Sequence, residues 1–252
     1  MGNRHTDGGR VEILGVPVDM VSSDEAMGRF AAMMGAEGCC QIVTPNSEII
    51  WSAAKDGELK GIISGADLIM PDGIGIVYAS RIIGRPLGER VTGIDFLAKV
   101  LEWLAAGGGK AYFLGSKPGV AEKAAANMME KYPGLHVAGA RDGYFAEDEE
   151  EGIVAEINGS GADFLCVALG SPKQEKFISR NKGRLKVKVA IGVGGSFDVM
   201  AGVLKRAPEF YRKHGLEWLY RLKQQPYRIK RMAVLPLFLI RVLAKDGLRR
   251  RK

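Results

Sequence analysis

The sequence predicts an α/β fold, a largely parallel sheet with helices on both faces, followed by a basic helical carboxyl-terminal appendage. Three observations carry this reading. Short apolar runs of strand length alternate with longer segments of helical periodicity, several times over, which is how a parallel sheet with crossover helices is written. The turn signals between them, such as Pro71-Asp72-Gly73 and Gly192-Val193-Gly194-Gly195-Ser196, follow the strands and precede the helices. The charge then divides the chain in two. From residue 203 onward there are fifteen Lys or Arg against Glu209, Glu217 and Asp246, whereas the rest holds 21 basic and 26 acidic residues. A basic tail on an acidic body points the tail at an anionic partner.

With 252 residues, 46% hydrophobic and 26% charged, the chain can bury a full core in one or two domains. Cys39, Cys40 and Cys166 offer no C-x-x-C pair and leave an odd thiol, so neither a disulfide framework nor a zinc site is expected, and a reducing cytoplasm fits best. The amino end shows no apolar run of the signal-peptide kind. Its start, Met1 to Thr6, matches a short myristoylation pattern and reads more simply as a polar, flexible arm over residues 1–10.

Taken in order, residues 11–19 open in β-rich sequence, and Ser22-Ser23-Asp24-Glu25 starts a helix that runs to residue 34. Residues 41–44 form a second strand, stopped by Pro45-Asn46-Ser47. One helix is expected over 47–63, with Ile49, Ile50, Ala53, Ala54, Leu59 and Ile63 close to a single face. Leu68-Ile69-Met70 is a short buried strand that Pro71-Asp72-Gly73 ends. Residues 84–93 are a loop holding Arg85 and Arg90 among glycines, and they feed a helix over 94–106. Strands are expected at 110–116, 136–138, 163–169 and 187–191, and helices at 121–131 and 147–157. The α/β body is expected to span 11–202 and the appendage 203–252. In the appendage, one helix is expected over 208–224 and another over 227–245. The apolar run 233–240 is too short for the roughly 20 residues of a membrane span, but a basic amphipathic segment of this kind can lie on an anionic bilayer.

Thr44-Pro45-Asn46, Pro71-Asp72-Gly73, Gly115-Ser116, Gly170 to Gln174 and Gly192 to Asp198 all follow strands, so a parallel sheet would gather them at one edge, where ligands bind in open α/β folds. Asp72 there could serve as a general base on a hydroxyl, although Asp-Gly also makes a plain turn. The glycine run lacks the G-x-G-x-x-G spacing and is weak by itself. No D-x-D pair stands ready for a divalent ion, and His5, His136 and His214 are scattered, so no metal and no cofactor is expected; Arg and Lys would meet a diphosphate's charge.

The same motifs, with Ala66 to Gly73, Arg90-Val91-Thr92-Gly93, Leu169 to Glu175, Arg206-Ala207-Pro208, Gly215 to Trp218 and Arg221, resemble the TagA/CpsF/WecG glycosyltransferase family, from about residue 11 to 231 in unbroken order. The resemblance implies a Rossmann-like fold and sugar transfer from a UDP-sugar to a polyprenyl-diphosphate-linked sugar, at the inner face of the cytoplasmic membrane, by a peripheral protein. Most like the TagA branch, it implies UDP-N-acetylmannosamine as donor and the 4-hydroxyl of undecaprenyl-diphosphate N-acetylglucosamine as acceptor, in wall teichoic acid linkage synthesis. It implies Asp72 as the base, with inversion and without a metal. Thr44, Asn46 and Gln174 would contact the donor, Arg90 would sit near the reacting groups, and Asp198 would bond the nucleoside. Arg221, Arg228 and Arg231 would close over the diphosphate once the tail docks on the membrane.

Two alternatives stay open at this point. The donor could be another UDP-sugar of the family, such as UDP-glucose or UDP-N-acetylmannosaminuronic acid. A non-catalytic nucleotide or nucleic-acid binding module is a weaker fit, because the body is acidic and no nucleic-acid motif appears. The apolar appendage also leaves room for a homo-oligomer.

Overall fold

A computed structural model describes residues 9–88, 90–229 and 233–247 of the chain. The arm expected over 1–10 therefore lies, up to residue 8, outside the described residues.

The opening β-rich stretch folds back on itself. β1 (Arg10–Ile13) and β2 (Val16–Asp19) pair antiparallel in a sheet of their own, with Val11, Ile13, Val16 and Val18 fully buried. The main sheet has six strands: β3 (Cys40–Val43), β4 (Leu68–Ile69), β5 (Lys110–Gly115), β6 (His136–Arg141), β7 (Phe164–Ala168) and β8 (Val189–Gly192). Their order is β4-β3-β8-β7-β5-β6, and every pairing is parallel.

Successive side chains alternate between the two faces, and helices cover both. On one side Ile42, Leu68, Phe113, Phe164, Cys166 and Ile191 pack beneath α1 (Ser23–Met34), α5 (Gly93–Gly107), α6 (Val120–Lys131) and α9 (Ser196–Met200). Phe30 of α1 meets Phe96, Trp103 and Phe164 edge to face, a preferred aromatic geometry. On the other side, Val43 and Ile69 pack with the hairpin, α2 (Ser47–Ala53), α3 (Gly57–Ser64) and α4 (Ile74–Ile83). Tyr112, Leu114, Leu165, Val167 and Ala190 complete that side under α7 (Glu150–Ser160) and α8 (Lys173–Asn181). The α/β, Rossmann-like class expected from the sequence is the one observed.

Boundaries differ where a local cap outcompetes periodicity. The helix expected over 47–63 is two helices, because the Asp56 carboxylate accepts from the backbone N–H groups of Glu58 and Leu59 and starts α3 afresh. In the tail, the helix expected over 208–224 breaks at Gly215 into α10 (Glu209–Lys213) and α11 (Glu217–Gln224). The following stretch is a 3-10 turn at Pro226–Arg228 and then, among the described residues, α12 (Val234–Val242), which ends in a π turn at Leu243–Gly247.

The tail is not uniformly peripheral. α12 lies against α2 and α4, and its Phe238 and Val242 are fully buried in the same cluster as Val43 and Ile69. The opposite side of that region is apolar and open, with Leu237 53%, Ile240 65% and Leu243 57% exposed. α12 and the turn after it thus complete the core of the body while presenting a greasy outer stripe.

Phe238→Ala is accordingly expected to cost about 3–5 kcal/mol in a denaturant titration, whereas Leu237→Ala should stay within about 0.5 kcal/mol of the parent. Equal effects at the two positions would mean that α12 is not seated on the core.

Candidate functional site

The carboxyl ends of β3, β4, β7 and β8 and the tail enclose a cleft of about 300 Å³, within the range of small-molecule sites. Thr44 and Asn46 enter from β3, Asp72 and Gly73 from β4, Gly170, Ser171 and Gln174 from β7, and Val193 to Ser196 from β8. Arg90, Thr92 and Gly93 come from the loop before α5, Glu217, Trp218 and Arg221 from α11, and Leu235 from α12. The rim is also where α2, α4, α5, α8 and α9 begin, and helix starts carry partial positive charge and free N–H groups suited to anions.

Asp72 leaves β4 just before the N-cap of α4. Its Oδ1 accepts from the backbone N–H of Gly93, the first residue of α5, at 3.4 Å. Burial pushes its carboxyl above the usual range, opposed in order by the Arg221 guanidinium, the Gly93 N–H and Arg90. A carboxylate that is partly shielded from water, yet flanked by cations, has the character of a general base.

Gln174 lies 3% exposed and spends both ends of its amide. Its Oε1 accepts from the Gly194 N–H at 3.0 Å, and its Nε2 donates to Glu175 at 2.8 Å. A Cβ at Gly192 would stand 2.4 Å from that Nε2, so only glycine lets the amide reach the turn. Gln174 thus shapes the glycine turn at the cleft wall. Asn46 is also committed to the fold through one end of its amide. Its Oδ1 caps α2 by accepting from Glu48 and Ile49, both at 3.0 Å, which leaves its NH₂ for a ligand. Thr44 Oγ1 lies 3.5 Å from the Gly192 carbonyl, tying β3 to β8 across the cleft floor.

Arg90 donates through Nη1 to the Arg212 carbonyl at 3.0 Å and through Nη2 to Glu217, with both side chains of that ion pair about one-fifth exposed (19% and 20%). Arg221 lines the cleft, so α11 of the tail lies at its wall. Asp198 does not line the cleft. It accepts from Ser116 Oγ at 2.9 Å, one strand further along the rim, at the end of β5. The backbone of Arg228 lies in the 3-10 turn, its side chain is outside the described residues, and Arg231 is outside them altogether.

Other residues take part that were named only as motif members or not at all. Gly93 supplies the N–H to Asp72, signalled in hindsight by Thr92, whose Oγ1 caps α5 through Asp95. Glu217 is the counter-ion of Arg90. Glu175 is a 3% exposed acid whose carboxyl burial pushes up, and it stands behind Gln174. Among the described residues, no group of three His, Cys, Asp or Glu is arranged to hold a metal ion.

A profile described as Glycosyl transferase WecG/TagA/CpsF family matches residues 11–252. A Bacillus spizizenii protein is 38% identical over 205 residues, covering 81% of this chain and 79% of its own. One from Bacillus subtilis is 36% identical over 206 residues, with the same coverage, and one from Staphylococcus aureus is 34% identical over 236 residues, 92% of each chain. All three bear the name N-acetylglucosaminyldiphosphoundecaprenol N-acetyl-beta-D-mannosaminyltransferase.

The elevated pKa of Asp72 has a signed consequence for stability. In the folded state it holds its proton to higher pH than when unfolded, so its ionisation destabilises the fold as pH rises from roughly 4, the unfolded carboxylate value, through the folded one. Asp72→Asn is therefore expected to melt above the parent at neutral pH and level with it below roughly pH 4. A variant that melts lower at neutral pH would show Asp72 to be a net stabilising charge.

Proposed function

Because this chain belongs to the WecG/TagA/CpsF family of glycosyltransferases, we propose that it moves N-acetylmannosamine from UDP-N-acetylmannosamine to the 4-hydroxyl of N-acetylglucosamine on undecaprenyl diphosphate. The enzyme class follows from the family. The sugar moved and the acceptor are taken from the names of relatives at 34–38% identity, and the UDP carrier and the inversion are part of the proposal. Such a reaction makes the linkage unit of wall teichoic acid.

The observation that supports this reading best is Asp72, held at the cleft by the start of α5 and facing a space also lined by Gly194, Gly195 and Arg221. In the proposed step the Asp72 carboxylate takes the proton of the acceptor hydroxyl. The freed oxygen forms a bond to the anomeric carbon as the bond from that carbon to the diphosphate breaks. The electron pair leaves on UDP, and attack from the face opposite the leaving group inverts the anomeric centre. Arg221, with Arg90 nearby, meets the growing charge on the diphosphate, so the reading needs no divalent ion. Gln174 acts by holding the glycine turn in place, and Thr44 and the Asn46 amide face the donor sugar.

The acceptor is a lipid, and no helix among the described residues is long and apolar enough to cross a membrane. The proposed contact is peripheral, on an anionic inner leaflet. The exposed stripe at Leu237, Ile240 and Leu243, with Tyr227 at 74% and Ile229 at 62% exposed, lies in the segment that carries most of the basic surplus, and each well-placed cation gains about 1 kcal/mol from such a surface.

UDP release from a panel of UDP-sugars with a short-chain lipid-diphosphate acceptor tests the assignment, with UDP-N-acetylmannosamine expected to be turned over fastest. Asp72→Asn should lose at least about a hundredfold in kcat, and the parent's rate should fall on acidification through a pKa above the ordinary carboxylate range, since protonation removes the base. Near-parental turnover by the variant would clear Asp72 of the role.

A further inference from the structure

A second cavity, of about 330 Å³, adjoins the cleft on the side away from the glycine turn. The two share the wall formed by Ile74, Arg90, Thr92, Gly215 and Glu217. The second one continues beneath α4 and α10, where Arg81, Arg212 and Lys213 line it beside Val77 and Leu87. Its two carboxylates are already neutralised, Glu217 by Arg90 and Asp95 by Arg206. Lys213 also pairs with Glu209 at 2.7 Å, but on the solvent side.

Among the described residues, the buried Nε atoms of Arg90, Arg206 and Arg212 lack a hydrogen-bond partner, which is unusual for buried polar groups. Arg90 and Arg212 line this cavity, and Arg206 stands at its wall only through its pairing with Asp95, so guanidinium charge gathers around the cavity. Guanidinium forks match the geometry of phosphate oxygens, and Lys213 and Arg81 add charge at the rim.

We infer that this second cavity is a diphosphate subsite, and that the diphosphate it takes is that of the lipid-linked acceptor. The inference rests on the glycosyl-transfer reading above. The glycine turn and Ser171 line only the first cleft, so a nucleotide's diphosphate has its place there. Asp72 lines the first cleft, which meets the second cavity at the shared wall. An acceptor whose hydroxyl reaches Asp72 carries its own diphosphate on the far side of one hexose ring, and across the shared wall that diphosphate meets Arg81, Arg212 and Lys213. Ile74, Val77 and Leu87 then offer an apolar wall for the first units of the lipid.

Calorimetric titration of the full chain tests this, with a ten-carbon prenyl diphosphate bearing N-acetylglucosamine as one probe and UDP as the other. Arg81→Gln combined with Lys213→Gln is expected to weaken the prenyl probe at least about tenfold and leave UDP binding unchanged. The charge-conserving pair Arg81→Lys and Lys213→Arg should restore most of the affinity, which a merely structural role would not require. Unchanged affinity for the prenyl probe overturns the inference. A parallel loss of UDP affinity also overturns it and assigns the cavity to the nucleotide. The UDP-release assay on the parent stands apart: absence of turnover with every sugar would sink the transfer reading, whereas turnover with no binding defect in the variant would sink only the subsite.

Discussion

Strands that all run the same way release the chain at a single edge, and the helices that cross back must begin there. That constraint makes a site out of residues far apart in sequence. Thr44, Asp72, Gln174 and Gly194 come from four different strand ends, yet they line one cleft. The sheet order brings β3 beside β8, so the ends that carry Thr44 and the glycine turn are neighbours. β4 flanks β3 on the other side and sets Asp72 across from that turn.

The electrostatics of the cleft follow from competition at Asp72. A helix start gives a nearby carboxylate about 0.3–1 kcal/mol, and up to about 2 kcal/mol when partly buried. Loss of water can move a buried acid by several pKa units in the other direction. Here loss of water prevails despite Gly93, Arg221 and Arg90, so the carboxyl stays more basic than usual. The guanidinium groups that fail to offset burial at Asp72, those of Arg221 and Arg90, also line the cleft. Their own placement depends on Gly215, whose φ of +70° turns the chain between α10 and α11 and whose missing Cβ would stand 2.8 Å from Ile74.

Much of this was legible in the sequence because strand-length apolar runs and turn residues report local chemistry. The short run before Pro71 is β4, and the Ser22 and Glu25 pair is a capping box at the start of α1. What escaped depends on contacts between distant segments. Nothing in the residues around Glu217 announces that it pairs with Arg90, 127 positions away. The character of 233–240 suggested an outer surface, and half of it is one. Phe238 and Val242 face inward only because α2 and α4 leave a groove for them, which periodicity in a single helix cannot reveal. Asp198 shows the opposite case: its place after the glycine run is plain, but its carboxylate is taken up by Ser116 rather than turned to the cleft.

The hairpin has an effect beyond packing. Asp19, 1% exposed and paired with Arg10 at 2.7 Å, accepts from the backbone N–H of Ile69 at 2.8 Å. β4 is an outermost strand, and outermost strands invite foreign chains to zip on through their idle amides. A strand only two residues long, with one of those amides occupied by a carboxylate, offers little to zip onto. The side of the sheet that carries Asp72 is thereby guarded against runaway self-assembly, a useful property for a protein that also exposes grease elsewhere.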